Sequence, residues 1–207
     1  MLNVALPKGR IGKKVREIFS AIGYECEEPT PDDRRLVIEN SDGTIRYFLV
    51  KPSDVGIYVE RGAADIGVVG KDTLVETEPD VYELLDLDIG KCNMCVCVKD
   101  GYTEDKDSVL RVATKYPHIA GGYYKSLNRE IEIIKLSGSN ELAPLLGLSD
   151  VIVDIVETGT TLRENDLAVL TEFMPISARF IANRASYQFK HKEIGTLLKK
   201  LTEVTQA

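Results

Sequence analysis

The segment 154–162 combines residue types that suit a sugar phosphate. It reads Asp-Ile-Val-Glu-Thr-Gly-Thr-Thr-Leu and follows an apolar, β-branched run at 151–153, which predicts a buried strand. A helical pattern begins at Leu162, so backbone N–H groups and threonine hydroxyls would converge at a helix start, where the dipole is positive. Gly159 can adopt a positive φ angle and would let the backbone approach an anion closely. The segment therefore predicts a phosphate-binding loop.

An acidic residue at the end of the same strand predicts the rest of the ligand. Asp154 would repel a phosphate, and its carboxylate is better suited to sugar hydroxyls or to a metal ion. The acid and the loop together predict a ribose 5-phosphate site. The residues expected to bind it are Asp154, Glu157, Thr158, Gly159, Thr160 and Thr161. A threonine-capped helix after a buried strand accounts for the same residues without a ligand, and the segment alone leaves both interpretations open.

Four motifs, in order along the chain, resemble one family. Residues 139–150 read Ser-Asn-Glu-Leu-Ala-Pro-Leu-Leu-Gly-Leu-Ser-Asp and, with the loop that follows, resemble the signature of ATP phosphoribosyltransferase, the first enzyme of histidine biosynthesis. The segments 6–10 (Leu-Pro-Lys-Gly-Arg), 58–72 and 112–117 resemble other motifs of that family. In length the chain resembles the family's short form, which lacks a C-terminal histidine-sensing domain and works with a regulatory subunit similar to histidyl-tRNA synthetase. The resemblance therefore implies such a partner.

The resemblance also implies a fold and its division into domains. We expect an α/β chain with a two-lobed, periplasmic-binding-protein-like type II fold and the active site in the interdomain cleft. Domain I would comprise residues 1–89 and 177–207 and bind ATP. Domain II would comprise residues 90–176 and bind phosphoribosyl pyrophosphate.

The implied reaction transfers the phosphoribosyl group of phosphoribosyl pyrophosphate to N1 of ATP and releases pyrophosphate, with Mg²⁺ as cofactor. An oxocarbenium-like state at C1 requires the protein to anchor the 5-phosphate, hold the ribose hydroxyls and neutralise the leaving diphosphate. By motif position we assign catalysis and the Mg²⁺ site to Asp154 and Glu141. Glu141 lies two residues after Ser139, so it could instead only favour a helix N-terminus.

Charged residues after the predicted strands are candidates for ATP. Lys8 and Arg10, beside a glycine at the end of the first strand, suit the triphosphate. Weaker candidates for the same charge are Arg34, Lys51 and Lys115. Asp72 could meet the adenine or its ribose, or it could be a plain helix cap. Because charged loop residues are usually only solvated, both interpretations stay open for the weaker cations as well.

Composition limits the partners and the compartment. With 207 residues and a net charge of −7, the chain lacks the basic surface of a general nucleic-acid-binding protein. It has no run of eighteen apolar residues and no secretory signal pattern, so we expect a cytoplasmic protein without membrane contact. We also expect a homodimer of this chain. Cys92, Cys95 and Cys97 are spaced C-x-x-C-x-C within an apolar run, and we expect reduced core thiols instead of a zinc site.

Strands and helices alternate along the chain, as in an α/β protein. Strands are expected at 2–6, 36–38, 45–50, 65–69, 82–87, 94–98, 110–113, 131–136, 151–155 and 167–173. Helices are expected at 11–22, at 52–61 with a Ser53 cap, at 118–127, after a Ser139 cap and at 190–204.

Two other functions remain open from the residues themselves. One is a two-lobed small-molecule binding module without catalysis, although the phosphate loop argues against it. The other is a different phosphoribosyltransferase, because Asp-x-x-x-Thr-Gly-Thr-Thr also resembles the loop of the nucleobase-salvage enzymes. Those enzymes usually carry paired acids directly before the loop, whereas Val153 precedes Asp154 here and Asp150 is four residues upstream.

Overall fold

The computed structural model describes residues 1–25 and 35–205, and the chain divides into two compact units. Unit 1 comprises Met1–Gly90 and Ser177–Ala207, and unit 2 comprises Lys91–Ile176. Unit 1 is therefore discontinuous in sequence. Within the described residues, no helix has the length and apolar content that crossing a bilayer requires.

The elements of the described residues alternate between strand and helix. The strands are β1 Leu2–Pro7, β2 Val37–Glu39, β3 Ile45–Val50, β4 Ile66–Gly70, β5 Val81–Asp86, β6 Cys92–Lys99, β7 Leu110–Thr114, β8 Ile131–Lys135, β9 Val151–Val156, β10 Leu167–Ile176 and β11 Ala178–Asn183. The helices are α1 Arg10–Ala21, α2 Val55–Glu60, α3 Lys71–Thr77, α4 Pro117–Ser126, α5 Leu142–Leu145, α6 Thr160–Glu164, α7 Arg184–Phe189 and α8 His191–Thr205. A 3-10 turn, Pro52–Asp54, leads into α2.

Unit 1 is built on a six-stranded mixed sheet in the order β2-β3-β1-β4-β11-β5. β1 is parallel to β3 and β4, whereas β11 is antiparallel to β4 and β5. Val15 and Phe19 of α1 and Ile194 of α8 are fully buried in one core cluster of this unit, and Val55 of α2 is buried in another. The helices predicted at 11–22 and 190–204 are thus present, and both bury apolar side chains in this core.

Unit 2 is built on a five-stranded mixed sheet in the order β10-β6-β9-β7-β8. β9, β7 and β8 are parallel, so their carboxyl ends share one edge, while β6 runs antiparallel to β9. Ala143 of α5 and Leu162 of α6 pack with Cys95, Cys97 and Ile152 of the sheet. This packing fixes the two loops that precede α5 and α6 at the carboxyl edge of β9.

One strand was missed and two predicted helix caps were wrong. The sequence 178–183 forms β11, an interior strand of the unit 1 sheet, where no strand was predicted; Ser177 alone separates it from β10, so no turn signal marks its start. Ser53 does not cap α2, because its hydroxyl donates to the Asp54 carboxylate and the helix begins at Val55. Ser139 does not cap α5, which begins at Leu142 after Glu141.

Asp65 connects three segments of unit 1 from a buried position. It is 4% exposed; Oδ2 accepts hydrogen bonds from the Asn3 N–H at 2.8 Å and from Lys190 Nζ at 2.7 Å, and Oδ1 accepts one from the Ser186 hydroxyl at 2.7 Å. Burial by itself raises the pKa of Asp65, but these hydrogen bonds and the charge of Lys190 outweigh it, so the pKa lies below its ordinary value. The carboxylate therefore joins β1 to the start of α7 and of α8.

Replacing Asp65 with Asn should lower the free energy of unfolding by about 2–3 kcal/mol, because the amide keeps the shape but loses the attraction to partly exposed Lys190. The depressed folded-state pKa means that the wild-type network stabilises fully above the unfolded pKa of about 4 and loses this contribution as the pH falls through the folded pKa. Denaturant unfolding measured from about pH 7 to about pH 3 should therefore lose less stability in Asp65→Asn than in the wild type.

The control for this prediction is Glu39→Gln, which removes the exposed ion pair with Arg46. It should cost less than about 1 kcal/mol. An Asp65→Asn protein as stable as Glu39→Gln would contradict the role given to Asp65.

Candidate active site

A cavity of about 220 Å³ lies at the carboxyl end of β9 in unit 2. Glu141, Asp154 and the loop 157–161 line it. Every residue predicted to bind the phosphoribosyl group, or to hold Mg²⁺, therefore borders one cavity within one unit. The parallel arrangement of β9 with β7 explains the juxtaposition, because ligands of such sheets collect where parallel strands end.

The loop has the backbone conformation that the sequence predicts. Gly159 has φ +68° and ψ 10°, a left-handed conformation that a β-branched residue adopts only with strain. The hydroxyls of Thr158 and Thr160 are 3.1 Å apart and both belong to the loop. Two hydroxyls and the backbone of the following turn are thus grouped around one glycine.

The positive charge beside the loop comes from Arg163, which was not among the predicted site residues. α6 has five residues, so its dipole is small, but Arg163 folds back over the loop. Its guanidinium donates to the Thr158 carbonyl at 3.0 Å and to the Thr160 hydroxyl at 3.1 Å. The available signal was its spacing, since residues three and four apart on a helix share a face.

Asp154 is held by two donors of this chain. Oδ2 accepts a hydrogen bond from Asn140 Nδ2 at 2.7 Å, and Oδ1 accepts one from the Ile155 N–H at 2.7 Å. Burial raises the pKa of Asp154 and the negative charge of Glu141 adds to the increase, whereas the two hydrogen bonds and the charge of Lys115 act in the opposite direction; the pKa ends above its ordinary value. Asp154 is thus an oriented carboxylate in a partly desolvated place.

The residues proposed for ATP do not all lie in the same unit. Thr114 pairs with Val153 in the β7–β9 register, so Lys115 follows the strand next to Asp154 in unit 2. Lys8, Arg10, Lys51 and Asp72 all belong to unit 1. Arg34 lies outside the described residues.

In unit 1, parallel pairing places the candidates at one edge of the sheet. Pro7 pairs with Val50, and the Lys8 N–H donates to the Val50 carbonyl at 2.8 Å, so Lys8 and Lys51 leave neighbouring strands side by side. A Cβ on Gly12 would overlap the Pro7 carbonyl oxygen, so α1 starts immediately beside β1.

Arg10 is the first residue of α1, and Gly9 stands at its N-cap. Asp72 follows β4, the strand on the other side of β1, and lies in the first turn of α3 with Gly70 at the N-cap. This edge therefore offers lysines, an arginine and the N-terminus of a twelve-residue helix to an anion.

The structure also places the residues on which the alternatives depended. Asp150 lies at the opposite end of β9 from the loop, where Arg111 Nη2 donates to it at 2.6 Å; this hydrogen bond holds the pKa of Asp150 below its ordinary value. Asp150 therefore does not pair with Asp154.

The predicted core thiols are also placed by the structure. Cys95 and Cys97 are buried, and burial raises their pKa values to about 11 and about 12, as expected for inert core thiols. In residues 1–25 and 35–205, no group of three or more His, Cys, Asp or Glu side chains is arranged to hold a metal.

Comparison with known proteins extends these observations to the whole chain. The profile of the family described as "HisG: ATP phosphoribosyltransferase" matches residues 51–203. The ATP phosphoribosyltransferase of Brachyspira hyodysenteriae is 60% identical over 205 residues, which cover 99% of this chain and 100% of that protein. The solved structure of an ATP phosphoribosyl transferase (HisG:HisZ) complex from Thermotoga maritima is similar with a TM-score of 0.86 and 37% identity, over 100% of this chain and 99% of that chain.

A second structural similarity concerns the fold alone. The periplasmic aliphatic sulphonate binding protein SsuA from Escherichia coli matches with a TM-score of 0.62 at 12% identity, over 99% of this chain and 68% of that chain. The predicted periplasmic-binding-protein-like type II fold is confirmed. Because the sequence match is this extensive and covers the segments that form both the loop and the unit 1 edge, the chain belongs to the ATP phosphoribosyltransferase family, whose enzymes catalyse the first step of histidine biosynthesis.

Proposed function

We propose that this enzyme transfers the phosphoribosyl group of phosphoribosyl pyrophosphate to N1 of ATP, with phosphoribosyl pyrophosphate bound by unit 2 and ATP by unit 1. The observation that carries the assignment is that Glu141, Asp154 and the loop 157–161 all border the same cavity. Adenine N1 already has a lone pair, so the reaction needs no strong general base. The chain's task is then to position two anionic substrates and to stabilise developing charge.

The residues of unit 2 divide that task. The loop 157–161 and Arg163 bind the 5-phosphate through backbone N–H groups, hydroxyls and one guanidinium. Asp154 accepts hydrogen bonds from the ribose hydroxyls, and with Glu141 it places negative charge near the ribose as positive charge develops at C1. Lys115, which the sequence suggested for ATP, follows β7 next to Asp154 in unit 2, and we assign it instead to the leaving diphosphate.

The residues of unit 1 bind the second substrate. Lys8, Arg10 and Lys51 bind the triphosphate, supported by the N-terminus of α1. The Asp72 carboxylate accepts a hydrogen bond from the adenine or from its ribose. The support for this assignment is their shared position at the carboxyl edge of β1, β3 and β4.

Magnesium fits the donor set of unit 2. Mg²⁺ prefers oxygen ligands and is usually bound by one or two carboxylates together with substrate phosphates. Glu141 and Asp154 offer two carboxylates to one cavity. When bound there, Mg²⁺ would neutralise charge on the diphosphate, which makes it a better leaving group.

Further proposals concern the partner subunits of the enzyme and its location in the cell. We propose a regulatory subunit similar to histidyl-tRNA synthetase, supported by the similar Thermotoga maritima structure, which is a HisG:HisZ complex. We also propose a homodimer of this chain and a cytoplasmic location. The acidic net charge of −7 supports an enzyme that works without nucleic acid.

The function is tested by mixing the protein with ATP, phosphoribosyl pyrophosphate and Mg²⁺, with and without the proposed regulatory subunit. The ultraviolet spectrum should change as the adenine is ribosylated at N1, and pyrophosphate should appear in equal amount. A spectral change that matches ribosylation at another adenine nitrogen would contradict the proposal.

Replacing Gly159 with Val should weaken binding of phosphoribosyl pyrophosphate by at least roughly tenfold, because the loop must give up its positive φ angle. A Cβ at this position would also lie 3.2 Å from Arg163 Nη1. Isothermal titration calorimetry measures the affinity. The matched control is Gly101→Val, which has φ +78° in the same unit but no atom within 4 Å of its Cβ; it should lose stability and keep its affinity. Equal affinity in both variants would remove the loop from the site.

Replacing Asp154 with Asn should lower kcat by at least roughly tenfold, about 1.4 kcal/mol in the barrier, because the charge near the ribose is lost while the shape is kept. Steady-state kinetics measures this. Asp150→Asn is the control from the same strand: it breaks the pair with Arg111, so it should lower the melting temperature and leave kcat unchanged. Wild-type kinetics in Asp154→Asn would exclude Asp154 from catalysis.

Changing both Lys8 and Arg10 to Ala should raise the dissociation constant of ATP by roughly tenfold or more, and that of phosphoribosyl pyrophosphate by less than about twofold. The reason is that both residues belong to unit 1, whereas the loop belongs to unit 2. The control is Lys13→Ala, which removes an exposed charge of α1 that is not among the residues assigned to ATP. Equal weakening of both substrates would indicate a general electrostatic effect instead.

A further inference from the structure

Asn140 is a buried polar residue that connects the loop before α5 to Asp154. It is 1% exposed, and its Nδ2 donates to Asp154 Oδ2 at 2.7 Å. Its Oδ1 is buried and has no hydrogen-bond partner in the part of the chain that the structure describes. A buried acceptor without a partner costs about 1–3 kcal/mol. Stability of the fold alone therefore does not explain an amide at this position.

The contact with Asn140 determines how the carboxylate of Asp154 is oriented. Oδ1 accepts from the N–H of the next residue, Ile155, and this local bond holds one side of the carboxylate. The bond from Asn140 comes from a segment fourteen residues away in sequence and holds the other side. With both oxygens anchored, the plane of the carboxylate is fixed. Each oxygen keeps a second lone pair with which it can accept from a ligand.

The segment that carries Asn140 is itself held against the sheet. The N–H of Ala143 donates to the Asn140 carbonyl at 3.0 Å, and the N–H of Leu142 donates to the Ser139 carbonyl at 3.2 Å. Ala143 is 2% exposed and packs in the core of unit 2. Glu141, the next residue, borders the same cavity as Asp154. One short segment thus supplies one carboxylate and orients the other.

The donor to Asp154 is an uncharged amide, and this affects the charge that Asp154 keeps. A lysine or arginine in this place would orient Asp154 but would also neutralise it. An amide donates a hydrogen bond and carries no net charge, so Asp154 keeps the negative charge that an oxocarbenium-like state requires.

We infer that Asn140 is a positioning residue for phosphoribosyl transfer: its amide fixes the Asp154 carboxylate in the orientation that serves the ribose and leaves its charge intact. This inference rests on the role proposed above for Asp154. It assigns no contact between Asn140 and substrate.

The test combines Asn140→Leu with Asp154→Asn in a double-mutant cycle. Leu has the same number and branching of side-chain heavy atoms as Asn, and it removes both the donor and the unpartnered oxygen. In the wild-type background kcat should fall roughly tenfold to a hundredfold, as is typical when the partner of a functional group is lost. The KM for ATP should change by less than about twofold, and the melting temperature should stay within about 3 °C because the two polar changes offset each other.

In the Asp154→Asn background the same substitution should lower kcat by less than about twofold, since no carboxylate remains to be oriented. All four proteins are measured as full chains, with the proposed regulatory subunit added if the chain alone does not turn over. If the Leu variant does not fold, Asn140→Ala takes its place in the cycle.

The matched control is Asn40→Ala. Asn40 is also a buried asparagine, and its side chain accepts from the Thr44 and Ile45 N–H groups in the β2–β3 turn of unit 1. Its loss should lower the melting temperature and leave kcat unchanged. This control shows what removal of a merely structural buried amide does.

The outcomes separate this inference from the proposed function. Wild-type kinetics in Asp154→Asn would contradict the proposed role of Asp154, and the inference with it. A slow Asp154→Asn enzyme beside a wild-type rate in Asn140→Leu would overturn the inference alone. Equal losses from Asn140→Leu in both backgrounds, accompanied by a large drop in melting temperature, would show that Asn140 serves only the fold.

Discussion

Parallel pairing of neighbouring strands is the constraint on which both groups of candidate residues depend. In unit 1 it brings the residues that follow β1, β3 and β4 to one edge, and in unit 2 it does the same for β7 and β9. Lys8 and Lys51 are 43 residues apart in sequence, yet one backbone hydrogen bond places them on adjacent strands. Lys115 and Asp154 become neighbours in the same way. The proposed chemistry therefore depends on strand register, and a register shift by one residue would separate these side chains.

The distribution of charge follows from this arrangement. A chain with a net charge of −7 cannot attract two polyanionic substrates through its overall field, so cations must be concentrated where the anions bind. The edge of unit 1 provides Lys8, Arg10 and Lys51, and unit 2 provides Arg163 and Lys115. Because α6 is too short for a strong dipole, in the proposed site the guanidinium of Arg163 would supply the positive charge that a longer helix could provide.

Much of the fold was predictable from local patterns, and the exceptions have physical causes. The helices α1 and α8 of unit 1 could be predicted because their apolar residues repeat at helical spacing. The strand β11 could not be predicted in this way, because Ser177 alone separates it from β10. It becomes an interior strand only through antiparallel pairing with β4 and β5. The Ser53 and Ser139 caps failed because a favourable residue type shows where a helix can begin, whereas packing of the next apolar residue decides where it does.

The candidate site shows the same division between local and non-local information. The residues of the loop 157–161 are adjacent in sequence, so the conformation of the loop and of its glycine could be inferred from the local residue types. Asn140 reaches Asp154 only through a tertiary hydrogen bond, and Lys115 comes to the neighbouring strand end only through β7–β9 pairing; sequence spacing indicates neither. Arg163 is adjacent to the loop, but a single arginine in a helix is more often solvated, and only its two hydrogen bonds distinguish it.

Asp154 illustrates what electrostatic stabilisation demands of a protein. In water its charge would be screened, and in a fully apolar place it would take up a proton and lose the charge. Partial burial gives the carboxylate a stronger field, and this burial is what raises its pKa. The hydrogen bonds from Asn140 and Ile155 and the nearby charge of Lys115 act against that increase and favour the ionised form. The donors around Asp154 therefore favour the ionised carboxylate that the proposed reaction uses.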